Sequence, residues 1–226
     1  MTNLHPYRET TGDTAPDAAP EAPPRGRPGK RELILAAAIR VFARTGYHGA
    51  RVSDIASEAG IAYGLVYHYF RNKEEILTSI FEQRWGAFLA AVEEVGKGRG
   101  TTREKLVSIA ALVLGAYQVR PDWVKVLVLE IQRSEHFTEP GQLRAVSRLF
   151  QSVARILRDG QDRGELRRDV DADIASTMFL GALEIAVTSL VLGVTRIGED
   201  ESEEAYCSRV GETVVDVFTN GASHCR

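Results

Sequence analysis

VSDIASEAGIAYGLVYHYF, residues 52–70, holds two short helical patterns separated by a glycine. Val52, Ile55, Ala56 and Ala59 recur at three- and four-residue spacing, the inner stripe of a very short helix that ends at Gly60. A further helix runs from about Ala62 to Phe70. Two short helices joined by a glycine-containing turn are helix-turn-helix geometry, and the second helix of such a unit lies in the DNA major groove. Turned at about 100° per residue, the aromatics of this helix separate into two sets. Ile61, Val66, Tyr69 and Phe70 point back onto the preceding helices, whereas Tyr63, Gly64, Leu65, Tyr67 and His68 point outward. Tyrosine and histidine can donate to a phosphate while presenting a ring to bases or sugars. Gly64 costs its helix about 1 kcal/mol relative to alanine, which makes sense where a DNA backbone must come close. The competing reading has these rings covering a partner surface or the core.

The charge distribution agrees with a nucleic-acid partner. The net charge is −3, yet between Arg25 and Lys73 nine basic residues face only Glu32, Asp54 and Glu58. Phosphate contacts draw on local charge, so a basic N-terminal third on an acidic chain reads as a DNA-binding head. A merely solvated basic face is the plainer alternative.

Outward from this unit, Leu33/Ala37/Val41 and Ile34/Ala38/Phe42 form i, i+4 rows on a helix that stops near Gly46. Asn72 with Glu75, and Thr101 with Glu104, are capping boxes opening helices to about Val95 and Val119. Pro121 starts another, Thr138 a long one ending near Gly164, and Asp171–Thr195 and Ser202–Asn220 supply the last two. No segment alternates with period two, so the fold class is all-α. Six of the eight prolines lie in the first 28 residues, so residues 1–29 read as a disordered tail, 30–75 as the head and 76–226 as a helical body for ligand binding and dimerisation. Within the tail, Arg25-Gly26-Arg27-Pro28 resembles an AT-hook, which would lie in a narrow A·T minor groove; a flexible basic tail is the more ordinary explanation.

Several function classes lack support. There is no HExxH, P-loop, paired-carboxylate motif or Cys/His spacing, so no enzyme, cofactor or metal site is expected. Cys207 and Cys225 read as spectator thiols suited to a reducing cytoplasm, and the N-terminus lacks an apolar signal region. The apolar run Ile174–Ile197 is long enough for a membrane span, but Glu184 at its centre and its small polar residues favour a buried helix of a soluble protein.

GYHGARVSDIASEAGIAYGLVYHYFRNKEEIL, residues 46–77, closely resembles the N-terminal domain of the TetR family of transcriptional regulators. The likeness rests on Gly46-Tyr47, Ile55-Ala56, Ala59-Gly60, Gly64, Tyr67, Tyr69-Phe70 and Lys73-Glu74. It implies a homodimer with a three-helix head, joined by a fourth helix to a ligand-binding body. It also implies that Ser53, Tyr63, Leu65, Tyr67, His68 and Lys73 face double-stranded DNA, and Arg51 and Gly64 complete the candidate interface. Arg51 and Ala62 replace the usual hydroxyl caps of the second and third helices, and Leu65 stands where threonine is commoner.

In the body, VLVLEIQRSE and GALEIAVTSLVL look like the TetR-type FadR regulators of fatty-acid degradation, which sense long-chain acyl-CoA, although Gln132-Arg133 reverses their usual order. The resemblance implies a ligand-released repressor; a constitutive DNA-binder or a sensor of another apolar compound are the alternatives. Trp85, Phe88, Tyr117, Trp123, Leu127, Phe150 and Phe179 are candidates to line an apolar slot. Arg133, Arg144, Arg148 and Arg155 are candidates for phosphates at its mouth. Glu130 and Glu184 are acids inside apolar runs, paired with arginine or marking polar specificity.

Overall fold

A computed structural model describes residues 29–131, 140–195, 197–198 and 200–222. The tail with its AT-hook-like core, Gln132, Arg133 and Cys225 lie outside the described residues, as does the side chain of Glu130. Every element among the described residues is helical: α1 (Lys30–Gly49), α2 (Val52–Glu58), α3 (Tyr63–Tyr69), α4 (Lys73–Lys97), α5 (Thr102–Val119), α6 (Pro121–Val126), α7 (Pro140–Asp162), α8 (Ala172–Val191) and α9 (Glu203–Ala222). A single π-helical turn, Leu127–Ile131, continues α6.

The helix boundaries follow local chemistry. Gly46, at φ 72°, breaks the regular turn of α1 where a side chain would be strained, and only one further turn follows. Thr101 and Glu104 form the full reciprocal cap of α5, with Glu104 N–H donating to Thr101 Oγ1 (3.2 Å) and Thr101 N–H to Glu104 Oε2 (2.8 Å). The box at α4 is only half made. Asn72 Oδ1 accepts from Glu75 N–H at 2.8 Å, but the Glu75 carboxylate takes the N–H of Arg71 instead. At α2 the missing hydroxyl is compensated from inside the helix, where Asp54 Oδ2 accepts the Arg51 N–H at 3.1 Å.

The head packs α1–α3 around Ile34, Ala38, Phe42, Ile55, Val66 and Phe70, all essentially inaccessible. Arg40 and Arg44 of α1 clamp Glu58 at the end of α2, at 2.7 and 3.3 Å. In the body α5 is the central strut, crossed by α9 and α7 and flanked by α4, α6 and α8. It is crossed closely. A Cβ on Gly160 of α7 would fall 2.1 Å from Thr102 Oγ1, and one on Gly211 of α9 3.2 Å from Leu114. The head meets the body where α1 packs on α6 and where α4 passes from one into the other.

α8 is long and apolar enough to cross a membrane by length and hydropathy, but it packs on α5, α7 and α9. Its remaining apolar residues form one exposed stripe, Ile174 (62%), Met178 (66%) and Ile185 (64%), bordered by Val217 of α9. A helix apolar on all sides therefore divides its surface between the core and one unoccupied face.

Candidate nucleic-acid interface and effector cavity

The outward face of α3 carries Tyr63, Gly64, Tyr67 and His68, all exposed, with exposed Arg51 and Ser53 beside them on the start of α2. Tyr63 and Tyr67, one turn apart, join their hydroxyls at 2.9 Å and set their rings edge to face at 5.2 Å. This hydrogen bond pushes the Tyr67 phenol above its ordinary pKa. A Cβ added to Gly64 would meet nothing within 4 Å, so the packing of the chain itself does not require a glycine there. Leu65 is half-buried at the edge of this face, and Tyr69, expected to point inward, is 36% exposed.

Lys73 departs from its expected orientation. On the helical wheel it projects outward toward a phosphate, but its Nζ turns back into the C-terminal end of α1. It donates to the carbonyls of Tyr47 (2.6 Å), Ala50 (2.9 Å) and His48 (3.5 Å), and it sits 4.4 Å from the centre of the Tyr47 ring. Carbonyls left without partners at a helix end attract a cation, and the first residue of α4 supplies it. Arg31 lies over Phe70 in the same manner, tying the start of α1 to the end of α3.

In the body, α4 to α8 enclose a cavity of about 420 Å³. Its apolar lining includes Trp85, Phe88, Trp123, Leu127, Leu149 and Phe150, within the size and character usual for small-molecule sites. Along α4 Phe81 stacks on Trp85 and Phe88 packs tilted against it, and Trp85 Nε1 donates to the Ala145 carbonyl at 3.1 Å, fixing the indole in the wall. Five of the expected aromatic and aliphatic residues therefore meet here. Two do not. Phe179 is fully buried against Phe218 of α9, 5.5 Å between centroids, and Tyr117 faces Glu203 and Cys207, where burial raises its pKa first and Glu203 second.

The arginines of α7 stand away from the lining. Arg148 pairs with Glu93 at 2.7 Å, and Arg144 and Arg155 are exposed without reaching the cavity. Glu184, expected inside an apolar run, is exposed in the single chain, lines the cavity and has its own interactions. Among the described residues the cation that lines the cavity is Arg84, which the sequence reading missed. Its signal was its spacing, because residues 81, 84, 85 and 88 share one face of α4.

The segment Pro121–Ile131 has two faces. Trp123, Val124, Leu127 and Val128 line the cavity, while Lys125, Val126 and Leu129 border a separate crevice against Phe42, Ala43, Arg44 and Gly46 of α1. A single turn of π-helix at such a place is a common sign of function.

Comparison with known proteins agrees with both halves. Residues 34–80 match the profile of the bacterial regulatory proteins of the tetR family, and residues 103–217 match a tetracyclin repressor-like C-terminal domain. The fatty acid metabolism regulator protein of Bacillus subtilis is 32% identical over 159 residues, covering 70% of this chain and 82% of the relative. The crystal structure of the transcriptional regulator FadR from Bacillus subtilis in complex with stearoyl-CoA superimposes with a TM-score of 0.70 at 30% identity, over 81% of this chain and 97% of that one. The fatty acid degradation regulator FadR of Bacillus halodurans gives 0.72 at 26%, over 84% and 97%.

Proposed function

Because the chain belongs to the TetR family of bacterial regulatory proteins, we propose that it is a homodimeric repressor whose operator binding is released by a long-chain acyl-CoA. The cavity carries this reading. It is largely apolar, it is lined by aromatic side chains, and Pro121–Ile131 forms its wall on one side and the neighbour of α1 on the other. A ligand seated against Trp123 and Leu127 thus acts on the segment on which the head rests. The stearoyl-CoA held by the Bacillus subtilis FadR supports the choice of ligand.

The α3 face, with Arg51 and Ser53, reads the major groove, and the tyrosine pair reaches phosphate. The α8 stripe and Val217 meet the same residues of a second protomer, an isologous four-helix contact that holds two heads at a fixed separation. Half-sites of the operator then lie one or more helical turns apart. The effector has to favour a dimer whose recognition helices are wrongly spaced. A nearly complete switch requires a preference of about 10⁴-fold between the two states, or about 5.5 kcal/mol. Each buried CH₂ contributes about 0.8 kcal/mol, so a long chain offers enough gross energy, of which the difference between states does the switching.

The test is titration of a protein–operator complex with acyl-CoAs of increasing chain length, followed by mobility shift. Release that strengthens with chain length is expected. Equal action by free CoA and the long-chain thioester, or no action by either, overturns the acyl-CoA assignment.

A further inference from the structure

Arg84 is the cation on the cavity wall among the described residues, and the apolar lining does not explain it. It sits on α4 among Phe81, Trp85 and Phe88, half-buried, with its side chain on the cavity wall. No carboxylate among the described residues pairs with it, whereas two arginines of α7 are held by acids, Arg148 by Glu93 and Arg158 by Asp173. The charge that acts on Arg84 is a like one, Arg120 at the junction of α5 and α6, and burial is the larger effect; both disfavour its cationic form. A half-buried guanidinium on an apolar wall, paired with no carboxylate among the described residues, leaves a site that an anion would relieve; Glu184, the carboxylate that lines the same cavity, is exposed and has interactions of its own.

The arrangement also has direction. The aromatic wall runs along α4 from Phe81 to Phe88, and Arg84 stands within it rather than out in solvent. A molecule with a purely apolar body would leave Arg84 desolvated and unsatisfied. One with a charged or strongly polar head on a long apolar body would satisfy the aromatics and the arginine together. Arginine suits this role, since its planar fork binds carboxylate or phosphate oxygens by two parallel hydrogen bonds.

We infer that Arg84 receives an anionic oxygen of the effector's head and so restricts the effector to amphipathic anions. This rests on the cavity being the effector site. The anion could be the carboxylate of a free fatty acid or a phosphate of the CoA moiety, and the experiment separates them.

Binding of palmitic acid, palmitoyl-CoA and hexadecanol to the full-length wild type, Arg84→Gln and Arg84→Lys is measured by tryptophan quenching, using Trp85 and Trp123 in the wall. Thermal unfolding of each variant checks that it folds. The expected result is that Arg84→Gln weakens one or both anions by about 10- to 100-fold, leaves the alcohol within about twofold, and that Arg84→Lys retains most of the anion preference. Loss confined to palmitic acid identifies a carboxylate as the bound group; loss confined to palmitoyl-CoA identifies a phosphate. If Arg84→Gln affects anions and alcohol equally, or neither, Arg84 is not the head receptor, while the cavity remains the effector site. If no chain binds the wild type, the cavity reading and this inference both fall. If Arg84→Gln does not fold, the same comparison is made with Arg84→Met, and an unchanged anion-to-alcohol ratio overturns the inference.

Discussion

Replacing Lys73 by methionine keeps the unbranched stem of the side chain and removes its charged end, so it separates two roles for the residue. The Nζ donates to the carbonyls of Tyr47 and Ala50 at 2.6 and 2.9 Å, with a longer third contact at 3.5 Å, and lies 4.4 Å from the Tyr47 ring. A charged hydrogen bond contributes about 1.5–3 kcal/mol, and a partly exposed cation–ring contact about 0.5–1 kcal/mol. The carbonyls stand near the surface and regain water, so the net loss is set at about 2–4 kcal/mol rather than the full sum. For a domain of this size that lowers the unfolding midpoint by about 4–16 °C. Urea and thermal unfolding at matched protein concentration measure it, since a dimer's stability depends on concentration. Lys73→Arg should recover only part of the loss, because a planar fork fits a ring of three carbonyls poorly. Operator binding by Lys73→Met is expected to weaken at every salt concentration with the same slope, because the geometry of the head is disturbed and no phosphate contact is removed. Unchanged stability with a salt slope reduced by about 1 would refute the reasoning and return Lys73 to the phosphate backbone.

Tyr67→Ala is expected to weaken operator binding and lower the salt slope by about 1 without altering the unfolding midpoint, as its ring is exposed; equal affinity and slope in the variant argue against α3 as the reading helix. Met178→Lys with Ile185→Lys should give a folded monomer in sedimentation at micromolar concentration, and a persistent dimer moves the interface elsewhere. The Glu165 carboxyl is held down to about 2, first by Arg163 and then by the N–H of Thr102, against burial, which raises it. A lowered carboxyl adds stability above its unfolded value near 4.5 and loses it as pH falls toward 2, so Glu165→Gln should cost about 1–2 kcal/mol at pH 7 and flatten the acid limb of the stability profile between those values. Identical profiles for the variant and the wild type would show that the pair is fully screened.

The head is legible in the sequence because its signals are local. Caps, a glycine turn and a seven-residue helix with distinct faces place Tyr63, Tyr67 and His68 outward without knowledge of anything distant. Lys73 escapes that reading because its partners lie 23 to 26 residues away, at a helix end that periodicity on α4 cannot see. α8 escapes it for a different reason. A helix apolar on nearly every side has no phase, so nothing in Ala172–Val191 says that Phe179 turns to α9 while Leu180 and Val187 turn to the cavity. The arginines follow suit. Those of α7 are drawn to Glu93 or left exposed, and Arg84 looks like solvated surface until Phe81, Trp85 and Phe88 are seen beside it.

The two close crossings of α5 bear on where movement is available. With no room for a methyl group at Gly160 against Thr102, and little at Gly211 against Leu114, α5 is fixed between α7 and α9 like the frame of a door. Thr102 is further held, its N–H donating to Glu165 and its hydroxyl oxygen accepting from Arg163. A cavity that expands must therefore move one of its other walls. The compliant ones are the π-helical turn, which can tighten to a regular α turn by giving up a residue of slack, and the half of α4 that faces it. Both end at the head. A substitution such as Gly160→Ala, remote from cavity and DNA alike, would loosen the frame and let the same expansion dissipate into the body, leaving the effector bound and the operator still occupied.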